Sequence, residues 1–266
     1  MAHSRSTTGS TTSAATAAAQ KKPPDLELPV KRMTPKSFFR KEGKRRRKVR
    51  AEALFARLSQ YVENRTELTY ETPFQLLVAV ILSANATDVS VNKATPKLFA
   101  DYPDAKALAA VEPSEIEPYV KSINHYRNKS RAVVETARAL VERHNGEVPR
   151  QMEEMTTLRG VGRKTANVVL GTAFNINEGI AVDTHANRVS TRLALSVDED
   201  PKQVEAELME LFERQHWTAV SHRLILLGRY ICKARKPACR VCPVIAFCPS
   251  REMEPEEAEA EPRRIE

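Results

Sequence analysis

An all-α fold is what this 266-residue sequence predicts. Apolar residues recur at i, i+3, i+4 and i+7 in one segment after another, the pattern of helices with one buried face. No stretch alternates apolar and polar residues with the period of two that a half-buried strand needs. Eight glycines and 6% aromatic residues are too few for a many-turned β-sandwich or barrel. The length allows one large or two small domains, and no apolar run approaches the ~20 residues of a membrane span. The N-terminus lacks the apolar core of a secretory signal.

In chain order, residues 1–24 are rich in Ser, Thr and Ala, cannot bury a core and are expected to be disordered. The run KSFFRKEGKRRRKVR then carries nine Lys/Arg between Lys36 and Arg50. It reads either as a solvated helix start or as an arm that meets DNA phosphates without reading sequence. Residues 1–44 are thus expected to form a disordered, then basic extension. A helix follows near 47–62. Thr72 and Pro73 supply an N-cap and a first-turn proline. Phe74, Leu77, Val78, Ile81 and Leu82 then mark a helix apolar on nearly all sides, hence central. Val133, Val134, Ala137, Leu140 and Val141 mark another, stopped by Asn145-Gly146 and Pro149. Thr165–Phe174, Val204–Phe212 and Arg223–Ile231 continue the theme. Residues 251–266 are acidic, punctuated by proline and expected to be disordered.

The net charge of +8 is unevenly placed. Residues 1–50 hold 14 Lys/Arg against 3 Asp/Glu, whereas residues 51–250 hold 25 against 24. A nucleic-acid surface on the folded body must therefore come from local placement of cations.

Two segments carry chemistry. In LRGVGRKTANVVL, Gly160 and Gly162 precede a helix whose first amides have no internal partner and sit at its positive end. Glycine lets a foreign atom approach, so the turn suits an anion such as a phosphate. It is not a nucleotide P-loop, because GxxxxGK[ST] is absent. Cys232, Cys239, Cys242 and Cys248 form a Cys-x6-Cys-x2-Cys-x5-Cys set within 17 residues. That spacing points to a ligand set rather than disulfides, for a soft metal or an iron–sulfur cluster. Structural zinc more usually takes two short Cys-x2-Cys pairs.

LRGVGRKTANVVLGTAF, AVDTHANRVSTRLAL and the cysteine set resemble endonuclease III, as do ILSANATDVSVNKAT, HNGEVP and HRLILLGRYIC. That family comprises bacterial DNA glycosylases and AP lyases of the helix-hairpin-helix superfamily. The resemblance runs from about Arg45 to Cys248. It implies two helical lobes flanking a cleft: a six-helix barrel lobe at 66–174 containing the hairpin, and a cluster lobe made of 45–65 plus 175–250. It makes Lys164 the nucleophile that attacks C1′ of a damaged nucleotide and Asp183 the catalytic carboxylate, which could also cap the helix starting near His185. Lys164 must be neutral to attack, a state that burial and the neighbouring cation Arg163 would favour. The four cysteines would hold a [4Fe–4S] cluster, structural rather than redox-active.

The same resemblance assigns DNA contacts to Gly160, Val161, Gly162 and Arg163 in the hairpin, to His185 beside the lesion, and to Lys233, Arg235 and Lys236 in the cysteine loop. Asn85 and His125 would enter the duplex when one nucleotide is flipped out. At 85 the family more often has glutamine, and at 124–125 it more often has Gly-Leu. Arg159 stands where the hairpin commonly has proline. The implied substrate is duplex DNA with an oxidised pyrimidine or an abasic site, handled by a monomer in the bacterial cytoplasm, at the nucleoid and away from membranes. Two alternatives stay open: an adenine or mismatch glycosylase with the same cluster, whose members generally lack the lysine, and a damage-binding paralogue with weak activity.

Overall fold

A computed structural model describes residues 33–253, 255–259 and 261–266. The segment 1–24 lies outside the described residues. Twelve α-helices are present among the described residues. They are α1 (Pro35–Glu42), α2 (Lys44–Tyr61), α3 (Pro73–Ser83), α4 (Asp88–Asp101), α5 (Ala105–Ala109) and α6 (Pro113–Val120), then α7 (Tyr126–His144), α8 (Met152–Met155), α9 (Arg163–Phe174), α10 (Thr184–Arg192), α11 (Pro201–Leu211) and α12 (Trp217–Tyr230). Short 3-10 turns shape the cysteine loop, and a single isolated bridge joins Val62 to Ile265. No described helix is long and apolar enough to cross a membrane.

Buried side chains fall into two apolar clusters. One runs from Leu68 to Leu170 and is built by α3 to α9. The other joins α2 to α10, α11 and α12, and includes Ile265. Thr72 caps α3 as its sequence predicts, its side chain accepting from Gln75 N at 3.2 Å. Every residue of α3 from Phe74 to Leu82 is buried, so this helix is the hub of the first lobe. Asn145 (φ 54°) and Gly146 (φ 85°) end α7, both left-handed, with Gly146 N donating to Leu140 O. Val141, expected to face inward, is 37% exposed.

The described parts of both end segments depart from expectation. Residues 33–44 are not a loose arm: Thr34 caps α1, and Phe38 is buried. Arg50, read as part of a basic run, is 1% exposed. Its guanidinium meets both oxygens of Glu42 (2.6 and 2.8 Å) and the carbonyls of Leu193 and Ala194. A buried charge is tolerable only with such complete partnering, so this cation belongs to the core. The acidic tail is docked as well. Ile265 is 6% exposed, and its amide donates to Tyr61 O at 2.7 Å while Glu63 N donates to its carbonyl at 3.0 Å. Arg263 N and Glu259 N donate to Val241 O and Arg240 O. One apolar side chain and four backbone bonds outweigh a composition that resembles disorder.

Candidate active site

The hairpin before α9 is set by its glycines and by α7. Gly160 has φ 77°, and a Cβ there would lie 3.2 Å from Ala132 Cβ. Only glycine meets both demands without strain. Thr136 Oγ1 donates to Arg159 O at 2.8 Å. Arg159, which stands where proline is common, pairs with Glu135 at 2.7 Å and ties the turn to α7. Gly162 is the N-cap of α9 and offers no side-chain acceptor, so the first amides of that helix remain open to an anion. Val161 is buried, so its side chain serves the core.

A cleft of about 750 Å³ lies beside the hairpin, and Lys164, Asp183, His185, Asn85, Asn124 and Arg229 line it. Lys164 enters from the first turn of α9 and is exposed. The burial expected around Lys164 is absent in the free protein, and Arg163 is engaged elsewhere. Arg163 turns away and forms an ion pair with Glu205 at 3.0 Å. Asp183 sits at the start of α10, where Oδ1 accepts from His185 N and Ala186 N, each at 2.8 Å. Capping occupies Oδ1 and leaves Oδ2 to the cleft, so one carboxylate can serve both roles. His185 Nδ1 lies 3.2 Å from Arg188 Nη2. Because arginine only donates, Nδ1 accepts and the neutral ring carries its proton on Nε2.

Asn85 (φ 54°) and His125 (φ 57°) both adopt the left-handed conformation at exposed loop tips. Asn124 Nδ2 donates to Asn85 O at 3.4 Å, which ties the two loops together. Asn124, not His125, is on the cleft wall.

Sequence reasoning missed the floor. A cavity of about 60 Å³ lies beneath the cleft, bounded by Lys164, Asp183, Glu67, Asp88, His222 and Arg229. Arg229 Nη1 donates to Glu67 Oε2 and Asp88 Oδ2, both at 2.5 Å. Tyr230 also donates to Glu67. Burial opposes the charge on Arg229, but its two carboxylate partners outweigh that and raise its pKa. Asp88 sits in the quoted string SANATD, yet nothing in its spacing announces a partner in α12.

All four cysteines line one cavity at the far end of α10. Burial pushes the Cys248 thiol up to about 12 and raises Cys242 too, and the neighbouring sulfurs add to both shifts. Two sulfurs buried in this way become thiolates only beside a cation. No three His, Cys, Asp or Glu among the described residues are arranged to hold a single metal ion. The donor set itself, four sulfurs on one cavity, suits a thiophilic metal or cluster. Two unforeseen arginines tie this loop to α10. Arg188 donates to Cys232 O (3.0 Å), and Arg192 to Lys233 O (2.7 Å) and Ala234 O (3.0 Å). Their i, i+4 spacing in HANRVSTR was the available clue. Lys233, Arg235 and Lys236 are exposed.

An all-α body with a glycine hairpin, a cleft carrying a lysine and a carboxylate, and a four-cysteine loop defines a helix-hairpin-helix DNA glycosylase. Residues 78–214 match the family model described as HhH-GPD superfamily base excision DNA repair protein. Endonuclease III of Synechocystis sp. is 50% identical over 183 residues, spanning 69% of this chain and 84% of that protein. The Escherichia coli enzyme is 47% identical over 189 residues, 70% and 88% of the two chains. A solved structure of endonuclease III trapped as a covalent intermediate with DNA superposes with a TM-score of 0.69 at 39% identity, covering 83% of this chain and 98% of that one. The chain belongs to the endonuclease III family, and it is a base excision repair glycosylase with AP lyase activity.

Proposed function

We propose that this protein excises oxidised pyrimidines from duplex DNA and cleaves the resulting abasic strand through a Schiff base on Lys164. The observation that carries this reading is the placement of Lys164 and Asp183 at the first turns of α9 and α10, on one cleft beside an open helix terminus. The neutral amine of Lys164 attacks C1′, the C1′–N bond breaks, and the base leaves with the bonding electrons and gains a proton. Ring opening gives an imine between Nζ and C1′. Loss of a C2′ proton then expels the 3′ phosphate with the C–O electrons. Asp183 Oδ2 balances the positive charge developing on the sugar and relays protons. Duplex DNA closing over the cleft supplies the burial that Lys164 lacks in the free protein.

Phosphates would meet the amides at Gly160–Arg163 and the cations Lys233, Arg235 and Lys236. His185 would donate from Nε2 to the flipped nucleotide. Asn85 and His125, held in left-handed turns, would fill the gap in the duplex. Cys232, Cys239, Cys242 and Cys248 would hold a [4Fe–4S] cluster whose contribution is to neutralise the thiolates and fix the cationic loop. The scheme calls on no residue beyond this chain's own, and we read the protein as a monomer that acts on chromosomal DNA.

The test is borohydride trapping on duplex DNA carrying thymine glycol or an abasic site. A covalent adduct that vanishes in Lys164→Gln supports the scheme. Tight binding with no adduct on either substrate would leave a damage-binding protein and refute it. Iron content and visible absorbance of anaerobically purified protein test the cluster, and zinc without iron overturns it.

A further inference from the structure

We infer that Glu205 is a positioning residue for the Schiff-base step, acting from the opposite lobe through Arg163 and Asn167; this rests on Lys164 being the nucleophile. Glu205 belongs to α11 in the second lobe and is 8% exposed. Its carboxylate is directed to α9. Oε1 accepts from Asn167 Nδ2 at 2.9 Å, and both oxygens accept from Arg163 Nε, at 3.1 and 3.0 Å. Arg163 Nη2 reaches Oε1 at 3.0 Å and also donates to Glu178 O at 3.1 Å.

The backbone is shaped to admit this carboxylate. A Cβ added at Gly179 would overlap Glu205 Oε1 and crowd Asn167 Nδ2. Position 179 therefore has to lack a side chain for Glu205 to reach α9.

The geometry bears on Lys164 in two ways. Arg163 and Asn167 are four residues apart and share a helix face, and Lys164 projects about 100° round the axis from Arg163. Holding two points on one face fixes the rotation of the first turn of α9, and with it the direction of the Lys164 stem. That turn has no side-chain cap to hold it otherwise. The second effect is steric. Glu205 keeps the Arg163 side chain on the side away from the cleft, clear of the space that a sugar at Lys164 would fill. A carboxylate that merely stabilised the protein would need neither the paired contacts on the nucleophile's own helix nor the vacant Cβ opposite.

The test uses the full-length protein with its metal loaded and compares wild type, Lys164→Gln, Glu205→Gln and Glu205→Asp. Three quantities are measured: Kd for duplex with an uncleavable abasic analogue, the single-turnover rate of borohydride-trapped adduct at saturating protein, and the melting temperature. Glu205→Gln should lower the saturated rate on the order of 10- to 100-fold, the usual cost of a small misplacement, with Kd unchanged. Glu205→Asp, which keeps the charge, should recover part of that rate. A saturated rate equal to wild type in Glu205→Gln overturns the inference, whatever happens to melting. So does a loss confined to Kd. If Glu205→Gln does not fold, Arg163→Lys is the milder probe: it keeps the cation without the fork, and an undiminished saturated rate there is equally fatal. Absence of any adduct in wild type would sink the Schiff-base scheme itself, a distinct result.

Discussion

His222 offers a measurable link between protonation and the joint between the lobes. It lies on α12 and is 7% exposed, with Nδ1 3.0 Å from Asn64 Oδ1 and Nε2 3.2 Å from Thr172 Oγ1. Asn64 belongs to the stretch of chain entering the first lobe, and Thr172 to α9. Burial, with a smaller contribution from Arg223, pushes the imidazole from its usual 6.5 down to about 4. Between those values the unfolded chain binds a proton at this site and the folded chain does not. Stability from His222 is therefore fully present above pH 6.5 and is lost as the pH falls towards 4. A depression of this size corresponds to about 3 kcal/mol at 1.36 kcal/mol per pH unit. Urea unfolding from pH 7.5 to 4 should show a decline that is shallower by that amount in His222→Gln. At neutral pH the same variant should be destabilised by roughly 1–3 kcal/mol, because Asn64 and Thr172 lose a partner in a buried setting. Parallel pH profiles for the two proteins would refute the reasoning, since the acid loss would then belong to other groups.

Asp183→Asn keeps an Oδ1 acceptor for the α10 amides, so melting should move little while the trapped-adduct rate falls by at least ~100-fold; equal rates would remove Asp183 from the chemistry. Arg50→Leu leaves the buried Glu42 carboxylate with only Arg47, at 3.9 Å, and should cost roughly 3 kcal/mol by urea titration. The double variant Glu42→Gln/Arg50→Leu should recover much of it, and additive losses would argue against coupling. Replacing Lys233, Arg235 and Lys236 together by Ala should reduce the slope of log K against log salt by about 2–3, near 0.9 for each phosphate no longer neutralised; an unchanged slope would take the cysteine loop off the DNA.

What could be read in the sequence was local. Thr72, Asn145 and Gly146 announced helix ends because capping and left-handed turns depend on one or two residues and their immediate backbone. Lys164 and Asp183, singled out through their surrounding strings, share a cleft, and the four cysteines, singled out by spacing and resemblance, share a cavity. What stayed hidden depends on partners far along the chain. Arg50 looked like one of nine solvated cations, and its place in the core depends on Leu193 and Ala194, about 143 residues away. Arg163 was read as a DNA contact, and the ion pair that its side chain makes with Glu205 could not be foreseen. The tail was misjudged for a related reason: composition averages over residues, whereas docking needed only Ile265 and an open backbone at Tyr61 and Glu63.

The cleft sits between two cores, so its shape depends on how the chain crosses from one to the other. It crosses twice near the site, at about 62–72 and 175–183, and α12 grips both crossings. On the first, Arg223 donates to Val62 O, His222 meets Asn64, and Arg229 meets Glu67. On the second, Thr218 donates through both its amide and its hydroxyl to Asn177 Oδ1, and Ser221 Oγ accepts from Ala181 N at 2.8 Å. The second crossing joins α9, which carries Lys164, to α10, which Asp183 caps. These bonds tether both crossings to one helix, and so relate the start of α9 to the start of α10. On the proposed scheme, the deformation needed to bring C1′ between the two cores would then fall on the duplex, with phosphate contacts at the hairpin and the cysteine loop to offset its bending and base flipping.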